Sequence, residues 1–239
     1  MTTPVRRRWR LLRRGAWYAL AAALVLSTTA LPGWSQAPTA DSCAALSNGA
    51  NGPFDYRKPD RLLTLAEQYH FTPKVEALLS AQSRVEVRGD LSFILVMFPN
   101  HARALMAMMR LGEKEKTEKP RGAGFEVECY FERALRFMPD DNVARMIYVV
   151  YLTKKARQTE ALQHLQFVVD TAGDRPFTHY NAGLLYFDLK EYDKAAAQAR
   201  AAQAGGLLRP DLIDKLKALG KWREPDAAPA AAASAAAPS

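Results

Sequence analysis

Four histidines, two cysteines and a few neighbouring acids are the side chains of this 239-residue chain that could carry metal, redox or proton-transfer chemistry. His70, His101, His164 and His179 are widely spaced. None stands in an HExxH run or has a second ligand four residues on, the spacing that sets two metal ligands on one helical face. His101 and His179 fall in the first turns of helical patterns, where packing and surface roles are commoner than ligation. Gly122-Ala123-Gly124 lacks the preceding strand that a dinucleotide fingerprint needs, and neither GxxxxGK[ST] nor GxSxG occurs. Glu126 and Glu128 lie two apart at a helix start, where they complement the helix dipole better than they share a proton. These residues specify no metal, no cofactor and no catalytic constellation, so an enzyme is the least favoured function class.

Cys43 and Cys129 carry the sharper expectation. In an oxidising compartment two cysteines favour a disulfide. Positions 43 and 129 are 86 apart, and closing such a loop contributes on the order of 4 kcal/mol in the chain-entropy model. The alternative is two independent thiols, with Cys129 buried as a small hydrophobe.

The compartment follows from the N-terminus. Arg6, Arg7, Arg8, Arg10, Arg13 and Arg14 precede an apolar run from Ala16 to Leu26, and small or turn-forming residues follow through Ala37. That order is a secretory signal peptide, and the run is shorter than the ~20 residues that span a bilayer comfortably. Pro38 disfavours cleavage after Ala37, which leaves cleavage near Ala30 or retention as an inner-membrane anchor. Both place the remainder in the periplasm. The formal charge of +8 then has a different meaning. Without the six signal arginines, 27 basic residues face 25 acidic ones, and the case for nucleic acid as a partner loses its support.

The elements that must position these groups are helical, so the fold class is all-α. Residues 38–60 are rich in Pro, Asn, Gly and Asp and read as an extended strap, with Phe54 and Tyr56 able to dock it. Residues 224–239 form an Ala/Pro-rich tail with nothing to bury. Between them, residues 61–223 form the helical domain. Thr72 and Pro73 start one helix; Asp90 caps the next, ending before Pro99; Asn100 caps HARALMAMMRLG. A charged loop, 113–124, precedes VECYFERALRFM. Asp140 or Asp141 caps the following helix, and further helices cover about 159–171, 177–189, 192–204 and 210–219. Val85–Val87 is the single β-like stretch.

A 34-residue register runs through the helices. It relates Ala161 to Ala195, Leu152 to Tyr186, and Ala134 to Val168. HYNAGLLYFDLKEYDKAAA carries the strongest copy, and in it the chain resembles the tetratricopeptide repeats. GPFDYR, HFTPKVE, FPNHARALMAMMRLGEKEKTEKPRG and VECYFERALRFMPDD extend the resemblance to exported proteobacterial tetratricopeptide proteins without an assigned activity. The resemblance implies a helix-turn-helix solenoid of three to four repeats with a C-terminal capping helix; the alternative is a generic helical bundle. It also implies a concave groove lined by the first helix of each repeat. Carried over by register, the lining is Arg103, Met106 and Arg110, then Met146, Val150, Thr153 and Lys154, then Phe177, Tyr180, Leu184 and Phe187. A half-basic, half-aromatic trough suits a protein or peptide segment with apolar side chains and a carboxylate. The bland alternative has Phe177, Tyr180 and Phe187 covered by the strap or the capping helix. The expected function is therefore an envelope adaptor. A membrane-anchored accessory domain of an envelope complex is the second reading.

Overall fold

The computed structural model describes Cys43, Leu46 and residues 52–79 and 84–223; the side chains of residues 84–86 are not described. The expected signal segment (1–37), most of the strap and the tail (224–239) lie outside the described residues. The described chain is all-α, with ten helices: α1 (Arg61–His70), α2 (Pro73–Glu76), α3 (Arg84–Met97), α4 (Ala102–Glu115), α5 (Val127–Phe137), α6 (Asn142–Lys154), α7 (Gln158–Asp170), α8 (Pro176–Asp188), α9 (Tyr192–Ala204) and α10 (Asp211–Ala218).

From α4 onward the helices form hairpins, α4–α5, α6–α7 and α8–α9, with α10 packed on the last. The starts of α6 and α8, at 142 and 176, are 34 residues apart, and so are those of α7 and α9, at 158 and 192. The first helix of each hairpin ends in the same way. The carbonyls of Gly112, Leu152 and Tyr186 accept from the N–H groups of Thr117, Arg157 and Glu191, which satisfies groups orphaned at a helix end. Lys116, Ala156 and Lys190 take the left-handed conformation these turns require, with φ of 52°, 58° and 63°. The second helices bury equivalent small residues: Val127, Ala161 and Ala195 in one row, Ala134, Val168 and Ala202 in another.

Two expected helix starts are corrected. Asp90 does not cap α3; it lies inside the helix and pairs with His70 at 2.9 Å. The apolar row Val87, Leu91, Ile94 and Leu95 continues straight through Gly89, and a Cβ on Gly89 would meet nothing within 4 Å. The β-like Val85–Val87 is consequently helical. Asn100 does not cap α4 either. His101 does, its Nδ1 accepting from the Ala104 N–H, because Asn100 is committed elsewhere. Asp141, Thr72 and Asp60 are side-chain caps of α6, α2 and α1.

The strap is tied down at several points. Cys43 and Cys129 are joined in a disulfide and both are buried, and Arg136 donates to the Cys43 carbonyl at 2.7 Å. Phe54 donates to the Met97 carbonyl at 2.8 Å, and its ring meets Phe98. Gly52 sits there with φ +108°, where a Cβ would come within 3.2 Å of the Met97 oxygen. Asn100 holds the next turn: its Oδ1 accepts from the Tyr56 N–H, and its Nδ2 donates to Asp55 and Asp141 at 2.8 Å. Burial would raise the Asp55 carboxyl, but hydrogen bonds from Arg57 and Asn100 hold it down at about 2.

Candidate functional site

Helices α4, α6 and α8 lie side by side, α4 against α6 and α6 against α8. The residues expected to line a groove fall on this layer, but its two ends are covered by the chain itself. At the α4 end, Arg103 binds the Glu76 carboxylate through two nitrogens, with Nε to Oε1 at 2.9 Å. Those bonds are the main reason the Glu76 carboxyl lies below its ordinary range. Arg110 donates to the Glu76 carbonyl at 3.1 Å. At the α8 end, α10 closes over the face. The Tyr180 hydroxyl donates to Asp211, and Lys215 sits 5.8 Å from the Phe187 ring centroid. Gly183 permits that approach, since a Cβ there would stand 2.7 Å from Leu212 Cδ2. Burial first, and then the Asp211 carboxylate, raises the Tyr180 hydroxyl.

Between these ends the layer stays open. Met106 is 43% exposed and Phe177 61% exposed, Val150, Leu184 and Phe187 are half-buried, and Lys154 is exposed and paired with Glu113 at 3.0 Å. Met146 and Tyr180 are buried. The exposed Val143 adds to the same face, three residues before Met146 on α6. Register alone could have supplied it, since 143 plus 34 is Phe177. Lys114, outside the expected lining, donates to the Leu78 carbonyl at 3.1 Å; its place one helical turn after Arg110 sets it on the same face. Beyond Leu78 a cavity of about 1040 Å³ opens, with Leu78, Val87 and Leu111 on its walls and Lys114, Lys119 and Arg121 among its polar lining.

The four histidines are tied into the structure. His70 pairs with Asp90 and lies against Phe93. His101 stacks on Tyr56 at 4.1 Å between ring centroids, caps α4 with Nδ1 and meets Glu67 with Nε2. His164 Nδ1 accepts from Arg145 at 3.0 Å, and His179 bridges Gln198 and the Gly173 carbonyl. Among the described residues there is no group of three or more His, Cys, Asp or Glu that could hold a metal ion. No helix among them is long and apolar enough to cross a membrane.

Burial, reinforced by the Arg145 guanidinium, lowers His164 to about 4, and burial also lowers His101 against the pull of Glu67. Folded-state values below the unfolded value of about 6.5 mean that the unfolded chain binds the extra proton first. The contribution is therefore whole above pH 6.5 and is lost as pH falls toward 4. After a discount for solvent screening of this half-buried ring, urea unfolding should show a loss of roughly 2 kcal/mol across that window from His164. His164→Gln should make the profile shallower and leave the part due to His101; a wild-type profile level from pH 7 to 5 would contradict the assignment.

Comparison with protein-family models, with curated proteins and with solved structures gives no match.

Proposed function

We propose that this chain is a tetratricopeptide-type binding scaffold of the cell envelope that holds a segment of a partner protein along the face of α4, α6 and α8. The observation that carries this reading is the strip formed by Met106, Val150 and Leu184, which stays at least partly open while the core rows beside it are sealed. Met106 is exposed and Val150 and Leu184 are half-buried, and apolar area left open on one face is what a partner covers. The 34-residue spacing of successive helices supports the repeat assignment. Compartment is supported by the N-terminal basic and apolar order and by the buried disulfide, a bond that persists where thiols are oxidised.

The chemistry of the strip defines its partner. Apolar anchors with Lys154 at their edge fit a helical or extended segment that offers apolar side chains on one side and an acid beside them. A photo-reactive amino acid at Val150 should give one defined adduct in the native envelope, and Leu184→Glu in the same chain should abolish it. The same probe at Gln163, exposed on α7, should give none. An adduct at Val150 that persists through Leu184→Glu would refute the groove.

A further inference from the structure

Three basic side chains on one face of α4, at i, i+7 and i+11, converge on a single short stretch of the same chain. Arg103 takes the Glu76 carboxylate, Arg110 the Glu76 carbonyl and Lys114 the Leu78 carbonyl. The stretch is α2 with its C-terminal turn. Four residues are too few to be helical alone, because one turn fixes several dihedrals for a single hydrogen bond. What holds it is docking: Thr72 caps it, Val75 is buried beneath it, and α4 supplies cations to its carbonyl end. Its outer residues, Pro73, Lys74 and Ala77, face solvent.

We propose that residues 72–79 are an internal ligand occupying the basic end of the groove. The partner then presents the same chemistry, a helical turn with a glutamate directly after an apolar residue, and displaces this segment when it binds. The inference rests on the groove reading given under Proposed function. A tethered segment has an effective concentration in the millimolar range. An isolated acidic peptide therefore cannot compete with it. A partner that also covers Met106, Val150 and Leu184 gains contacts that the internal segment lacks. The segment thus sets a threshold, so that only ligands spanning both the cations and the apolar strip enter.

The test uses the full chain and a fluorescein-labelled probe, the nonapeptide FTPKVEALL identical to residues 71–79. Fluorescence polarisation should show at least about tenfold tighter binding to the Val75→Ser/Glu76→Lys double variant than to wild type. Adding Arg103→Glu should return binding to the wild-type level, and a probe with Gln in place of its Glu should bind about tenfold more weakly. Equal binding to wild type and the opened variant overturns the proposal, as does binding to neither. If the double variant does not fold, Glu76→Lys alone decides, by amide exchange of residues 76–79. Exchange about tenfold faster supports an undocking segment, and unchanged exchange overturns it. A Val150 adduct that survives a failed peptide experiment leaves the groove standing and removes only the internal ligand.

Discussion

Replacing Cys43 and Cys129 by Ser is expected to lower the unfolding free energy by about 4 kcal/mol. The bond closes a loop of 86 residues, which excludes from the unfolded ensemble every conformation in which the strap and α5 are far apart. The folded state loses little by the change. Phe54, Tyr56 and Arg57 keep their hydrogen bonds to Met97, Asn100 and Asp140, and Arg136 still reaches the Cys43 carbonyl. The variant should accordingly fold with an unaltered helical spectrum and melt about 10 °C lower, given the size of the domain. Reductant should reproduce the loss only slowly under native conditions, since Cys43 is fully buried and Cys129 is 3% exposed. Urea titrations of wild type with and without reductant, beside the double Ser variant, check this. A midpoint that does not move would show that the strap is held by its polar contacts alone.

The pairing of those cysteines was legible in the sequence as one of two alternatives, because compartment and cysteine count both bear on it. The helical hairpins were legible too. Small residues recurring at 34, such as Ala161 and Ala195, report close helix approach that local composition cannot hide. What failed was decided at long range. Asn ranks above His as a helix cap, yet Asn100 bridges Tyr56, Asp55 and Asp141 across more than forty residues of sequence. That leaves His101 to cap α4. Gly89-Asp90 has the composition of a break, but a glycine facing solvent leaves the buried row of α3 intact. The groove residues follow from register, and cover of the α8 end by the capping helix was the alternative to an open trough: α10 meets Tyr180 and Phe187 and leaves Phe177 exposed. Closure of the α4 end of the layer by Glu76 of α2 had no signal in the register, because α2 lies outside the repeating pattern.

The second large effect lies under that layer, where α5, α6 and α7 meet. Glu128 is buried in the first turn of α5, and it accepts from the Tyr148 hydroxyl at 2.6 Å and from the Arg157 guanidinium. Arg157 also holds Glu160, and Tyr148 reaches Glu132 at 2.8 Å. The side chains of Arg157 and Glu128 are 13% and 10% exposed, so water offers each little compensation. Replacing Arg157 by Met keeps the apolar stem but strands the carboxylate, which should cost about 3 kcal/mol. Glu128→Gln in the same chain removes the stranded charge and should recover most of that loss. Tyr148→Phe should cost about 2 kcal/mol, because the hydroxyl it removes donates to a buried carboxylate. A double-mutant cycle by urea unfolding reads the coupling between 157 and 128 directly. Coupling above about 2 kcal/mol would mean that the pair fixes how the α4–α5 hairpin is set against α6–α7. Near-zero coupling would leave that alignment to the stacked rings of Phe131 and Tyr148, 5.2 Å apart. The pair also bears on binding, because the same α6 that carries Tyr148 inward carries Val150 and Lys154 toward the open face. A slip of α6 against α5 would shift the strip relative to Met106 on α4, so Arg157→Met should weaken adduct formation at Val150 even where the protein remains folded.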